Sequence, residues 1–214
     1  MCQEVYELVL EKGKENLELQ MAMQCAPLIS GLKPSNLLIT GSGNLNSVQE
    51  MIQRSGLSQL LLYQDENRLE LLLFCEEDLT RYLQEPAVWN FLNWKGYREG
   101  TLRGILRRFQ KRYGSYKIGA SEFPHEFGLL LGYPLEDVYG FMKHQGKNCL
   151  YSGYWKVYAK LPCKLRLFQR FALAEQVLAH LLSEGIQMTE VLQNRELVTG
   201  RMLSPAFLSG AADC

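Results

Sequence analysis

The chain has 214 residues, with 23 Lys or Arg balanced by 23 Asp or Glu, so its formal net charge is zero. A hydrophobic share of 47% beside 21% charged residues is a globular mixture and excludes wholesale disorder. The neutral balance argues against a generic polyanion binder, which needs clustered positive charge, and no apolar run is long enough to span a bilayer.

Met1 to Glu7 carry neither the basic stretch nor the apolar core of a secretory leader, so a cytoplasmic location is expected. The six cysteines, Cys2, Cys25, Cys75, Cys149, Cys163 and Cys214, form no CxxC pair or zinc-ribbon spacing. They read as reduced thiols, most of them core fillers.

Residues 3–24 have a helical stripe interrupted near Gly13, and Cys25-Ala26-Pro27 is expected to stop it. Asn36–Thr40 reads as a buried strand, followed by a turn at Gly41–Asn44 and a helix from an Asn46 or Ser47 cap to Arg54. Residues 58–64 and 68–75, separated by Gln64-Asp65-Glu66-Asn67, read as a hairpin. Glu76-Glu77-Asp78 opens a helix at its favoured negative end, and Pro86 starts the next, with Trp89, Leu92 and Trp94 expected to pack inward. A basic helix follows over 100–113.

Pro124 is expected to start a helix carrying His125, Glu126, Phe127, Leu130 and Leu131. Tyr133-Pro134 breaks it, and a second helix runs to about His144. After a loop at Gly146–Cys149, Gly153–Tyr158 alternates as a strand, with Tyr154, Lys156 and Tyr158 on one face. Residues 162–183 form a long helix. The reading is an α+β (or α/β) fold: a sheet of three or four strands with a hairpin, covered by helices. Residues 1–185 read as one globular domain and 186–214 as a weakly patterned C-terminal appendage.

The run Phe123-Pro124-His125-Glu126-Phe127-Gly128-Leu129-Leu130-Leu131-Gly132-Tyr133-Pro134-Leu135-Glu136-Asp137-Val138 is distinctive. So is Gly146-Lys147-Asn148-Cys149 followed by Gly153-Tyr154-Trp155-Lys156-Val157-Tyr158. Together with Cys25-Ala26-Pro27 and Gly31-Leu32-Lys33-Pro34-Ser35-Asn36-Leu37, these stretches resemble an uncharacterised bacterial group, domain-of-unknown-function family 3793, over roughly residues 20–185. The resemblance brings no established activity with it.

His125 and Glu126, placed at a helix start, suggest a neutral histidine acting as base or ligand with Glu126 as orienter; the alternative is a structural cap. Gly128 and Gly132 lie four apart and read as close-packing positions. Lys147 and Asn148 in the loop, and Lys156 between two phenols on the strand, suggest a grip on an anionic or planar ligand. Cys25 and Cys149 are candidate nucleophiles if either lies beside His125, the charge of Lys147 favouring a Cys149 thiolate; a buried structural thiol is the alternative. Cys25, His125, Glu126, Asp137, His144 and Cys149 include ligand-type side chains, but their spacing matches no known metal site, so no metal is assigned.

Arg98, Arg103, Arg107, Arg108, Lys111, Arg112 and Lys117 make a basic helix face, read as solvated and offset by the acidic stretch at 65–78 rather than as a nucleic-acid surface. The first functional expectation is binding of a small anionic ligand by Lys33, His125, Glu126, Lys147, Asn148, Tyr154 and Lys156. The alternatives are a cysteine-dependent enzyme with His125 as base, and a protein-interaction module using Trp89, Trp94 and Tyr154. The cofactor is left unknown.

Overall fold

The computed structural model describes Gly13 and residues 15–203. The first part of the helix expected over 3–24, Cys2, Cys214 and the end of the tail lie outside the described residues.

Helix α1 (Leu17–Ile29) starts where Asn16 Oδ1 accepts from the Leu19 amide at 3.0 Å. It does not stop at Cys25-Ala26-Pro27 but runs through Pro27. A proline in the last turn removes only the bond to the Met23 carbonyl, while Cys25, Ala26, Leu28 and Ile29 are all buried by continuing. The helix ends at Ile29; the chain turns away at Gly31, where φ is +72°, and the Leu32 amide donates back to Pro27 O at 2.8 Å.

Strand β1 (Ser35–Gly41) leads through a 3-10 turn (Ser42–Asn44) into α2 (Leu45–Ile52), which starts ahead of the expected Asn46 or Ser47 cap. Strands β2 (Ser58–Gln64) and β3 (Arg68–Phe74) form the expected hairpin, its turn held by Asp65 Oδ1, which accepts from the amides of Asn67 and Arg68. The sheet order is β1-β3-β2, antiparallel throughout, with Ser35 and Ser58 both opposite Phe74. Two antiparallel sheets packed with helices make this an α+β fold.

Four helices follow: α3 (Glu76–Leu83), α4 (Pro86–Trp94), α5 (Leu102–Lys117) and α6 (Phe127–Leu130). Then come α7 (Leu135–His144), the two-residue strands β4 (Tyr151–Ser152) and β5 (Lys156–Val157), and α8 (Leu161–Ser183). The described chain closes with α9 (Met188–Gln193) and α10 (Glu196–Met202).

The central strand β3 is covered on both faces, which explains its near-continuous run of leucine. Leu69, Leu71 and Leu73 join α1, α2 and α8 in one core. Leu72 and Phe74 join α3, α4, α5 and α6 in the other. Period-2 alternation thus feeds two helical layers from one strand. Met188, Val191, Leu192, Val198 and Met202 are buried in the first core, so the stretch expected as an appendage packs into the body as far as residue 202. Its pattern looks weak because two six- or seven-residue helices offer only one or two apolar positions per turn.

One charge interrupts the leucines. Glu70 is fully buried on β3, where its carboxylate accepts from Lys117 Nζ (2.8 Å), Arg68 Nε (2.7 Å) and Tyr113 Oη (2.6 Å). Trp94, expected to pack inward, is 65% exposed because α4 turns that position away from the second core.

Candidate functional site

The site is assembled by the stretch from Phe123 to Val157. Pro124 does not start a helix. His125 and Glu126 form a turn bonded from the Phe127 amide to Pro124 O, and the helix is confined to Phe127–Leu130. Gly132 then takes φ +69°, and a Cβ there would come within 2.6 Å of Pro34 Cδ, so only glycine can reverse the chain so close to the start of β1. Gly128 packs equally tightly on Val138, as the close-packing reading expects.

Pro134 leads into α7, whose second and third residues, Glu136 and Asp137, face β4–β5 and α8. Asp137 is buried and accepts from Trp155 Nε1 (2.8 Å), the Tyr158 amide (2.8 Å) and the Ala159 amide (3.2 Å). Glu136 accepts from Lys164 Nζ at 3.1 Å. These two carboxylates lock the small hairpin and α8 onto α7.

Gly153–Tyr158 is not one strand. The chain reverses at Gly153-Tyr154-Trp155, where the Gly153 amide donates to Trp155 O at 3.1 Å, and β4 pairs with β5. The reversal needs Gly153, since a Cβ there would meet Phe168 at 2.6 Å. The expected face of Tyr154, Lys156 and Tyr158 therefore does not exist: Tyr154 is in the turn, donating to Glu175 Oε1 at 2.8 Å.

Between these elements lies a cavity of about 440 Å³. The segment from α6 to α7 lines it with Phe127, Leu131, Val138 and Phe141, and the hairpin contributes Tyr154 and Trp155. Trp155 stacks on Tyr133 at 4.9 Å and meets Phe168 edge-on at 4.6 Å, which makes that wall rigid. The polar groups include His125 and Lys156. The imidazole lies 5.6 Å from the Phe123 ring and 5.7 Å from the Phe141 ring. Lys156 Nζ donates to Gly146 O at 2.6 Å and sits 6.0 Å from the Phe141 centroid.

His125 is held below its usual pKa by burial first and by the charge of Lys95 second. Both effects favour the neutral imidazole, and a helix dipole is not among them, since His125 precedes a single turn of helix.

Of the predicted site residues, the structure brings His125, Tyr154 and Lys156 to this cavity and leaves the others outside it. Glu126 is neither a cap nor an orienter of His125. It is fully buried and accepts on Oε1 from Arg112 Nε (2.6 Å) and Tyr97 Oη (3.0 Å). Lys147 and Asn148 are exposed in the loop after α7. Lys33 is 8% exposed and lies 5.1 Å from the Tyr133 ring; among the described residues it has no carboxylate partner. Burial pulls its pKa down to about 8, with the nearby Cys25 opposing the shift.

Cys25 is a core residue of α1, fully buried, and burial pushes its thiol up to about 12. No thiolate is available there at neutral pH, which removes it as a nucleophile. Cys149 is half-buried beside Tyr158 and does not line the cavity. Among the described residues, no group of three or more His, Cys, Asp and Glu is arranged to hold a metal ion. The basic face of α5 is partly neutralised by Glu126 on Arg112, Glu70 on Lys117 and Glu99 on Arg108.

Sequence reasoning missed Tyr133, Phe141 and Trp155 as walls. The cavity-facing role of Trp155 depends on the reversal at Gly153, which a strand over 153–158 does not contain.

The chain matches the model of the family described as "Protein of unknown function (DUF3793)" over residues 21–192, and it belongs to that family. No curated protein matches it. No solved structure matches it either. No helix among the described residues is long and apolar enough to cross a membrane.

Proposed function

We propose that this chain is a small-ligand-binding protein, in keeping with a cytoplasmic setting, and that its ligand has a planar, largely apolar body. The observation that carries the reading is the 440 Å³ cavity, whose walls combine stacked aromatic rings with His125 and Lys156 as polar handles. That size and lining suit a small organic molecule. Lys156 keeps two N–H donors beyond its bond to Gly146, and neutral His125 offers one donor and one acceptor, so an anionic or acceptor-bearing group on the ligand is favoured.

The cysteine-dependent enzyme loses support because Cys25 is sealed in the core and Cys149 is away from the cavity lining. The interaction-module reading retains Trp94, which meets the Phe91 ring edge-on and stands in solvent.

The test uses N-phenyl-1-naphthylamine, a neutral fluorescent probe of this size. One molecule is expected to bind per chain, and Tyr154→Ala or Phe141→Ala is expected to weaken it about tenfold. Native mass spectrometry of gently purified protein is expected to show a stoichiometric extra mass. An apo mass together with no saturable probe binding would remove the reading.

A further inference from the structure

A second cleft, of about 350 Å³, adjoins the aromatic cavity and shares Phe123 and His125 with it. Its chemistry is different. Lys95, Arg112, Ser115 and Ser121 line it, and Glu122 is the acidic residue among its walls.

The two cations are held without being used up. Arg112 is fixed through Nε by the buried Glu126, which Tyr97 braces from its own side. Its two terminal nitrogens have no hydrogen-bond partner among the described residues, so a fork of donors is left for an oxyanion. Lys95 caps α4, yet among the described residues its ammonium bonds no carbonyl and no carboxylate; it lies over the Trp94 ring at 4.8 Å. It lines the same cleft as His125. The Ser115 hydroxyl donates to Lys111 O at 3.0 Å and the Ser121 hydroxyl to Glu122 O at 3.4 Å, so the free donors of the cleft are those of Lys95 and Arg112.

We propose that this cleft is an anion subsite for a phosphate-like group, and that the protein takes a bipartite ligand: a planar apolar body in the aromatic cavity and a phosphate-type oxyanion between Lys95 and Arg112. The inference rests on the small-ligand reading above. His125 stands at the junction, where a neutral imidazole bridges an aromatic body and a charged end. A tetrahedral oxyanion suits a site with one fork of donors and one point charge. Glu126 offsets the charge of Arg112 but not its terminal donors, so the attraction comes from the Lys95 ammonium and the Arg112 fork, with Glu122 opposing it.

The test compares 8-anilinonaphthalene-1-sulfonate with N-phenyl-1-naphthylamine, which has the same ring system without the oxyanion. Binding of the sulfonate is expected to be at least tenfold tighter on the full chain and weakened by added inorganic phosphate, with the neutral probe unaffected. Lys95→Gln, which breaks no hydrogen bond among the described residues, is expected to erase most of the difference. Arg112→Lys keeps a charge beside Glu126, so the fold is expected to survive, and is expected to do the same through loss of the fork. Equal affinities unaffected by both variants would overturn the anion subsite while leaving the cavity reading intact. Failure of both probes to bind would overturn both.

Discussion

The indole Nε1 of Trp155 donates to Asp137 Oδ2 at 2.8 Å, joining the tip of the small hairpin to the first turn of α7. Asp137 also accepts from two amides just after β5, so one carboxylate fixes the aromatic wall of the cavity and the path of the chain into α8.

Asp137→Ala leaves one buried and two half-buried donors without an acceptor and is expected to cost about 3 kcal/mol. Asp137→Asn keeps an acceptor for the Tyr158 and Ala159 amides and is expected to cost about half as much. Urea denaturation followed by circular dichroism measures both. The Asn variant is also expected to weaken the neutral probe, because Trp155 loses its anchor. Unchanged stability in the Ala variant would contradict this account.

Lys33 and Cys25 give the protein an alkaline signature. Lys33 has its pKa lowered to about 8 in the folded chain from an ordinary 10.5. Between those values the unfolded chain binds more protons, so stability rises with pH from about 8 upward. Cys25 acts oppositely: its thiol is raised to about 12 from 9.0, so above pH 9 only the unfolded chain ionises and stability falls. Wild-type stability is expected to climb from pH 8 to 9 and then flatten. Cys25→Ala is expected to keep climbing to pH 10, and Lys33→Met to lose the climb. At pH 7, Lys33→Met removes a buried charge and is expected to gain on the order of 3 kcal/mol, by the shift of 10.5 to about 8. Chemical denaturation across pH 7–10 decides; a Met variant less stable at pH 7 would refute the burial cost.

Two helical glycines make a matched pair. Gly114 in α5 opens on free space, with nothing within 4 Å of where a Cβ would stand, so Gly114→Ala is expected to gain about 0.5–1 kcal/mol from helix propensity. Gly140 in α7 faces Tyr158, and a Cβ there would overlap the tyrosine side chain. Gly140→Ala is expected to lose at least about 1 kcal/mol despite the same propensity gain. Thermal midpoints of the two variants are expected to move in opposite directions.

The elements that were legible in the sequence are those whose signals are local. The β2–β3 hairpin showed itself through two leucine-rich runs around a polar turn, and α8 through apolar spacing from Leu165 to Leu182. Where long-range packing decides, the local signal misleads. Pro27 stays inside α1 because the residues around it are buried. Tyr154 to Tyr158 alternates like a strand, but Phe168 and Asp137, far along the chain, hold it as a turn. His125 and Lys156 were legible as polar members of the two distinctive motifs, and both line the cavity. Glu126 was misread because its partners, Arg112 and Tyr97, lie 14 and 29 residues away.

The buried Glu70 has a consequence for how the sheet assembles. With leucine at 69, 71, 72 and 73, β3 is nearly self-similar, and a slide of two residues along its neighbours would keep every apolar face inward. Such a slide would carry the Glu70 carboxylate about 7 Å from Lys117 and Tyr113, stranding a charge among leucines. The misaligned sheet is thereby heavily disfavoured. The glutamate works as a ratchet tooth, admitting one alignment of an otherwise interchangeable strand.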